Sequence, residues 1–316
     1  MAIDLLDTPL RVTWDLCSPV QPVSAADTLE IAARLVEAQL FYVTLERTPL
    51  LHPLFRDVAT TLAAAGCQLL VTCCGSVAEL SELKELPDHS QLLLDVGGFV
   101  TTDGVDFTAL EQTCSTLCKR GVNYGLTLTP TPERLGMIGA LLRFCLHRQI
   151  PRFKLPNMRI NDNFSPTLRS DLLHAGDIER FRQLAVDFPD FSGELQLDVH
   201  DLFLWEILFP NGGAPRSEYG GCQAANSLAH IDCTGIVHPC LSWPQPLGSL
   251  LRDSFYAIWQ DVPRQKIRDS IAVTPDGCQR CRDYSLCFGG CRGLSRLEEL
   301  WQGRDLMCAG ECKLSD

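Results

Sequence analysis

The chain has 316 residues, is 46% hydrophobic and 21% charged, and carries a formal net charge of −12. That length suits one large domain with a smaller one beside it, and the acidic balance argues against nucleic acid as the main partner. No run of about 18 apolar residues occurs, so no membrane span is expected, and the N-terminus "MAIDLLDTPLRVTW" has neither the basic flank nor the apolar run of a signal peptide. A cytoplasmic location is the resulting expectation. In a reducing compartment, sixteen cysteines point to metal binding rather than to a disulfide framework.

In chain order, short β-like runs alternate with helical patterns. "LRVTWDL" reads as a strand, and "AADTLEIAARLVEAQ" places Leu29, Ala33, Val36 and Leu40 at helical spacing. "FYVTLE" is a strand, followed by a helix over "HPLFRDVATTLAAAG" with Gly66 as its C-cap. "CQLLVTCC" and "QLLLDVGG" are strands, "DFTALEQTCSTLCKRG" a helix ending at Gly121, and "VNYGLTLT" a strand. The next helix, "TPERLGMIGALLRFCLHRQ", is expected to start at Thr131-Pro132. "PRFKLP" (strand), "GDIERFRQLAVDF" (helix) and "GELQLDV" (strand) complete the series. Alternation at this spacing predicts a parallel sheet with helices outside. About six such units fit a partial (β/α)6 barrel, with a doubly wound open sheet as the alternative.

The texture changes near Leu202. "FPNGGAPRSEYGG" reads as a loop, "HIDCTGIVHPC" as a β-hairpin turning near Thr234-Gly235, and "SLLRDSFYAIWQDV" as a short helix. Nine of the sixteen cysteines lie in residues 222–316. This shift predicts two domains, 1–200 and 201–316.

Eight of those cysteines form a set: Cys222, Cys240, Cys278, Cys281, Cys287, Cys291, Cys308 and Cys312. Two residues between Cys278 and Cys281 let both thiolates turn toward one centre, and Gly289-Gly290 permit a tight turn before Cys291. Four thiolates suit either zinc or an iron–sulfur cluster, and eight suffice for two sites.

The spacing of this set resembles the SPASM domain, the C-terminal extension of radical SAM peptide and protein maturases. Cys222 is followed after twelve residues by Gly235 and after four more by Cys240, and then Cys278, Cys281, Cys287 and Cys291 stand as C-x2-C-x5-C-x3-C, with Cys308 beyond. The resemblance implies two auxiliary 4Fe-4S clusters with interleaved ligands. By position, Cys222, Cys240 and Cys291 would hold auxiliary cluster I, and Cys278, Cys281, Cys287 and Cys308 auxiliary cluster II. Cys312 is favoured over Cys233 as a fourth ligand of cluster I.

Residues 1–200 resemble a degenerate radical SAM barrel. "LRVTWDLC" is similar to that family's first strand and "FYVTLERTPLLHPLF" to its second, but the C-x3-C-x2-C motif is absent, with Cys17 alone near its place. The family's Gly-Gly-Glu-Pro stretch is replaced by Glu46-Arg47-Thr48-Pro49. No S-adenosylmethionine is therefore expected as a cofactor. Cys73-Cys74 end the third strand near the expected barrel mouth, with one core-facing thiol as the simpler reading. Cys114, Cys118 and Cys145 read as core thiols, Cys17 as a packed thiol, and His230 and His238 as surface or hydrogen-bonding residues beside the hairpin.

The resemblance is nearest to the stand-alone SPASM proteins of GeoRSP-type peptide systems. It implies an accessory iron–sulfur protein in ribosomal-peptide maturation. The implied partners are a radical SAM/SPASM maturase, a PqqD-like peptide-binding protein and a precursor peptide. Two alternatives stand beside it: a redox or radical enzyme using its auxiliary clusters, and a zinc-bound scaffold. No catalytic residue is identified.

Overall fold

The β-like runs pair as strands because each carries apolar residues on alternate positions, and the intervening segments bury one helical stripe each. The structure is a computed structural model describing residues 6–17, 23–83, 86–160, 169–191, 193–210, 220–297 and 303–310. Its strands are β1 (Arg11–Asp15), β2 (Tyr42–Glu46), β3 (Gln68–Cys73), β4 (Ser90–Asp95), the short pair β5 (Val100–Thr101) and β6 (Gly104–Val105), β7 (Tyr124–Thr127), β8 (Arg152–Leu155), β9 (Gln196–Val199), β10 (Leu228–Ile231), β11 (Ile236–His238) and β12 (Gly248–Ser249). The helices are α1 (Ala25–Glu37), α2 (Phe55–Ala64), α3 (Val77–Glu82), α4 (Phe107–Lys119), α5 (Ile138–His147), α6 (Ala175–Ala185), α7 (Leu202–Leu208), α8 (Phe255–Gln260), α9 (Val262–Ala272), α10 (Tyr284–Cys287) and α11 (Arg292–Ser295). None of the described helices is long and apolar enough to cross a membrane.

The chain divides into two contact units. One comprises Asp4–Thr127 and Ala224–Arg268. Its sheet runs β12-β11-β10-β1-β2-β3-β4-β7, parallel from β10 to β7 and antiparallel across β10, β11 and β12. Strand alternation sorts its two faces. Val12, Trp14, Val43, Leu45, Leu69, Val71, Leu92 and Leu94 are all almost wholly buried on one face. The other face carries Thr13, Asp15, Thr44, Glu46, Thr72, Asp95 and Thr127 toward the C-terminal ends of the parallel strands. Ligands of parallel α/β sheets bind at that end.

Local chemistry sets the helix starts of this unit. Ser24 caps α1 by accepting from the Asp27 N–H, Asp106 caps α4 by accepting from the Ala109 N–H, and Ser76 and Glu79 form a reciprocal capping box on α3. The buried stripe of α1 is Thr28, Ile31, Ala32 and Leu35, one step round from the run Leu29–Ala33–Val36–Leu40, so Leu29 stays 44% exposed. The tip of the β10–β11 hairpin is tied by Asp232, whose Oδ1 accepts from Thr234 N, Thr234 Oγ1 and Ile236 N. Gly235 there has φ +82°, and a Cβ on it would lie 3.0 Å from Ile31 Cδ1.

The other unit contains Leu128–Gln223 and Asp269–Asp316. Here β8 and β9 pair in parallel. Helix α5 starts later than Pro132 suggested, after a 3₁₀ turn over Leu135–Met137. The cysteine-rich segment has only short elements, so its shape is carried by turns and by the small core of Ile160, Leu172, Leu294 and Leu306.

Candidate metal centre

Four thiols converge in the second unit. Cys278 ends a 3₁₀ turn (Asp276–Cys278), the Cys281 N–H donates to the Cys278 carbonyl at 3.1 Å, and Arg280 between them takes a left-handed φ of +64°. This fold-back is what two intervening residues allow. Cys287 closes α10, where Phe288, Gly289 and Gly290 follow with φ of +50°, +81° and +66°. Three successive left-handed residues reverse the chain, and such turns present backbone N–H groups to anions. Cys308 enters from the C-terminal side, its N–H donating to Asp305 O at 3.1 Å.

Electrostatics report the convergence. Burial first, then the charges of Cys287, Cys308 and Cys281, push the Cys278 thiol up to about 11, and Arg292 opposes the rise. A lone buried thiol would feel only the first cause. Four such thiols would ionise together only with a cation or a cationic cluster among them. Among the described residues, no three His, Cys, Asp or Glu side chains stand at the spacing of ligands to one ion. Cys278, Cys281, Cys287 and Cys308 fit a 4Fe-4S cluster in donor type and number.

Cys291 is held separately. Its N–H donates to Asp305 Oδ2 at 2.5 Å, and Asn157 Nδ2 donates to its Sγ at 3.3 Å. Its side chain packs against the Ile160–Leu172–Leu294–Leu306 core. Asp305 is itself buried, with Oδ1 accepting from Met307 N at 2.8 Å. Burial pushes its carboxyl up to about 6. Burial and then the charge of Asp305 push Asp201, which caps α7 through Phe203 N and Leu204 N, up to about 8. Cys222 follows Gly220 and Gly221, both left-handed, and a Cβ on Gly221 would lie 3.0 Å from Phe288 Cβ. The Cys222 segment therefore lies against the turn between Cys287 and Cys291.

Of the remaining candidates, Cys240 belongs to the first unit, bridged to Trp243 after β11. Cys312 lies outside the described residues. Cys233, in the hairpin turn, lies close enough to Cys17 for its charge to oppose ionisation there; the Cys17 thiol is raised by burial first and by Cys233 in addition. Spacing in sequence hid this juxtaposition, which follows from the parallel pairing of β1 with β10.

The end of β2 shows how the first unit differs from its resemblance. Arg47 and Thr48 take φ of +64° and +52° without a glycine. A β-branched residue at such a φ is strained. Two non-glycine residues therefore hold a backbone conformation that glycine adopts without strain. Arg47 reaches Asp15 Oδ2 at 3.8 Å, and Asp15 also meets His230 Nε2 at 3.3 Å. His230 and His238 stack at 5.4 Å, and His238 Nε2 faces Asp232 Oδ2 at 3.5 Å. Both histidines are nearly buried in this network of charge partners, in keeping with hydrogen-bonding roles. This polar face went unread because each strand contributes one or two polar residues and only the sheet assembles them.

The scattered thiols divide. Cys73, Cys114 and Cys145 are buried, while Cys118 is exposed and meets Tyr124 Oη at 3.5 Å, so it is not a core thiol. Helix α4 turns Cys114 inward with Leu110 and Leu117, and Cys118 falls past the edge of that stripe. Cys74 is exposed, with its thiol 2.6 Å from the buried Glu79 Oε2. Burial and the Glu79 hydrogen bond hold this thiol protonated above the usual range.

No curated protein sequence matches the chain. Among solved structures, Streptococcus suis SuiB superposes with a TM-score of 0.72 at 16% identity, over 97% of this chain and 78% of that one. SuiB bound to precursor peptide SuiA gives 0.71 at 16% identity, over 97% and 77%. Native anSMEcpe with bound AdoMet and Cp18Cys peptide gives 0.64 at 14% identity, over 94% and 91%. The mixed α/β fold with its parallel sheet is therefore similar to that of radical SAM/SPASM enzymes. Residues 222–282 match the SPASM family, described as an iron-sulfur cluster-binding domain; the match includes Cys222, Cys240, Cys278 and Cys281.

Proposed function

We propose that this chain is an accessory iron–sulfur protein of a ribosomal-peptide maturation system, working beside a radical SAM/SPASM maturase. The observation that carries the reading is a contrast. Cys278, Cys281, Cys287 and Cys308 converge, with the Cys278 thiol raised by burial first and then by the charges of the other three, while Cys17 is the one cysteine in the stretch after β1 where three would be needed. Cluster II would be held by those four residues and cluster I by Cys222, Cys240 and Cys291, with Cys312 as its fourth ligand. A 4Fe-4S cluster supplies one-electron transfer when bound. The chain's own residues space the thiols, bury them and set the backbone turns around them.

The strained Arg47–Thr48 turn supports loss of S-adenosylmethionine binding, because bulky side chains occupy the stretch that resembles a glycine-rich one. In this reading the precursor peptide meets the polar face of the parallel sheet. A PqqD-like protein presents it, as in GeoRSP-type systems, and the maturase supplies the radical. SuiB bound to its precursor peptide is a structural neighbour that supports a peptide as ligand. In this reading residues 1–200 are the degenerate radical SAM-like domain and 201–316 the SPASM domain, and the protein acts in the cytoplasm.

Anaerobic purification tests this reading. About eight irons and eight sulfides per chain, together with co-purification of a cluster-bearing radical SAM enzyme, are expected for two Cys₄-type clusters. Zinc without labile sulfide would defeat it, and so would reductive cleavage of S-adenosylmethionine by the isolated chain.

A further inference from the structure

Asn157 stands just past the C-terminal end of β8, 134 residues before Cys291 in sequence, and outside the segment that matches the SPASM family. Its Nδ2 donates to Cys291 Sγ at 3.3 Å. Residues on the same stretch, Met158 and Ile160, pack with Leu294 and Leu306 around Cys291. The amide is thus a half-buried polar group beside an apolar cluster, where a hydrogen bond to a charged acceptor is stronger than in water.

We propose that Asn157 tunes the reduction potential of the cluster that Cys291 ligates. The inference rests on the reading of Cys291 as a cluster ligand. A ligating thiolate has no proton and only accepts, so the amide must present Nδ2, as it does here. Donation to the sulfur withdraws charge from the iron–thiolate unit. The reduced cluster carries one more electron than the oxidised one and gains more from that donor, so the bond raises the potential. Asp305 holds the same residue by its backbone N–H, which fixes the direction of Sγ toward the amide without adding a donor to it. Asn157 is therefore a positioning and tuning residue contributed by the β/α half of the sequence to a cysteine of the other half.

The test is a redox titration followed by electron paramagnetic resonance on the reconstituted full chain, with Asn157→Leu and Asn157→Asp. Neither replacement can donate. The iron content of both is expected to equal the wild type, one cluster's potential to fall, and the other's to stay. A tenfold change in its oxidised-to-reduced ratio at fixed potential, about 59 mV for a one-electron couple, is the expected scale. Retained iron with both potentials unchanged overturns the inference. Iron lost from Asn157→Leu and from the donor-retaining Asn157→Gln alike also overturns it, since the residue would then be structural. An iron-free wild-type chain overturns the cluster reading itself, and the inference with it.

Discussion

The carboxylate of Asp305 lies over Gly290 so closely that a Cβ there would fall 2.2 Å from its Oδ2 and 2.7 Å from its Cβ. The same oxygen takes the N–H of Cys291, the next residue. Gly290 is thus required twice, by its φ of +66° and by the approach of a buried side chain. Gly290→Ala is expected to destabilise the chain by about 2–4 kcal/mol, combining a left-handed penalty with overpacking. Urea unfolding midpoints measure it, and a change below about 0.5 kcal/mol, the range of an indifferent surface substitution, would contradict the packing described.

Asp201 and Asp305 give a pH dependence of defined sign. Both carboxyls are raised in the folded chain, Asp201 to about 8 and Asp305 to about 6. A raised carboxyl favours its neutral form in the fold, so its contribution is fully present below the ordinary carboxylate pKa of about 3.9 and is lost as pH rises through the folded value. From this pair, stability should fall between about pH 4 and 8, with the Asp201 part disappearing last. Asp201→Asn keeps an N-cap for α7 and removes the ionisation. Its urea midpoint should exceed the wild type's at pH 8.5 and approach it at pH 5; parallel curves across that range would refute the assignment.

Ligand identity can be separated from mere burial. Cys281 belongs to the converging four, whereas Cys114 is buried among Leu110 and Leu117. Cys281→Ala is expected to remove about one cluster's iron, roughly half of the total, because a Cys₄ site rarely tolerates loss of a ligand. Cys114→Ala should leave iron unchanged while lowering thermal stability modestly. Equal iron in the two variants, measured on anaerobically reconstituted protein, would sink the ligand set.

How much of this was legible in advance depended on whether the signal was local. The helix over Ala25–Glu37 and the strand over Arg11–Asp15 could be read from periodicity and turn residues, since both are set by residues a few positions apart. The C-x2-C-x5-C-x3-C run was legible for the same reason. The stripe of α1 was misplaced because Thr28 is buried and Leu29 is not; a threonine does not announce burial. Helix α7 has no counterpart among the expected elements, because the seven residues "LFLWEIL" are too few and too uniformly apolar to show a helical period. The contacts of Asn157 with Cys291, Asp305 with Gly290 and Cys17 with Cys233 span 134, 15 and 216 positions. The first and last lie beyond any reading window, the second carries no periodic signal within one, and only strand pairing and turn geometry bring these residues together.

The turn at Arg47–Thr48 gives the last prediction. Thr48 holds φ +52° with its Oγ1 donating to Arg47 O at 2.8 Å, and its carbonyl accepts from the Cys17 thiol at 3.6 Å. Neither bond offsets a β-branched residue in the left-handed region, which costs about 1–2 kcal/mol. Glycine carries no such penalty, but loses more backbone freedom on folding, by about 0.5–1 kcal/mol. Thr48→Gly should therefore stabilise the chain by up to about 1 kcal/mol, whereas Thr48→Val, which keeps the branch and drops the hydroxyl, should not. Differential unfolding of the two variants decides it. A Thr48→Gly chain less stable than Thr48→Val would mean that packing of the branched side chain, and not backbone strain, governs this turn.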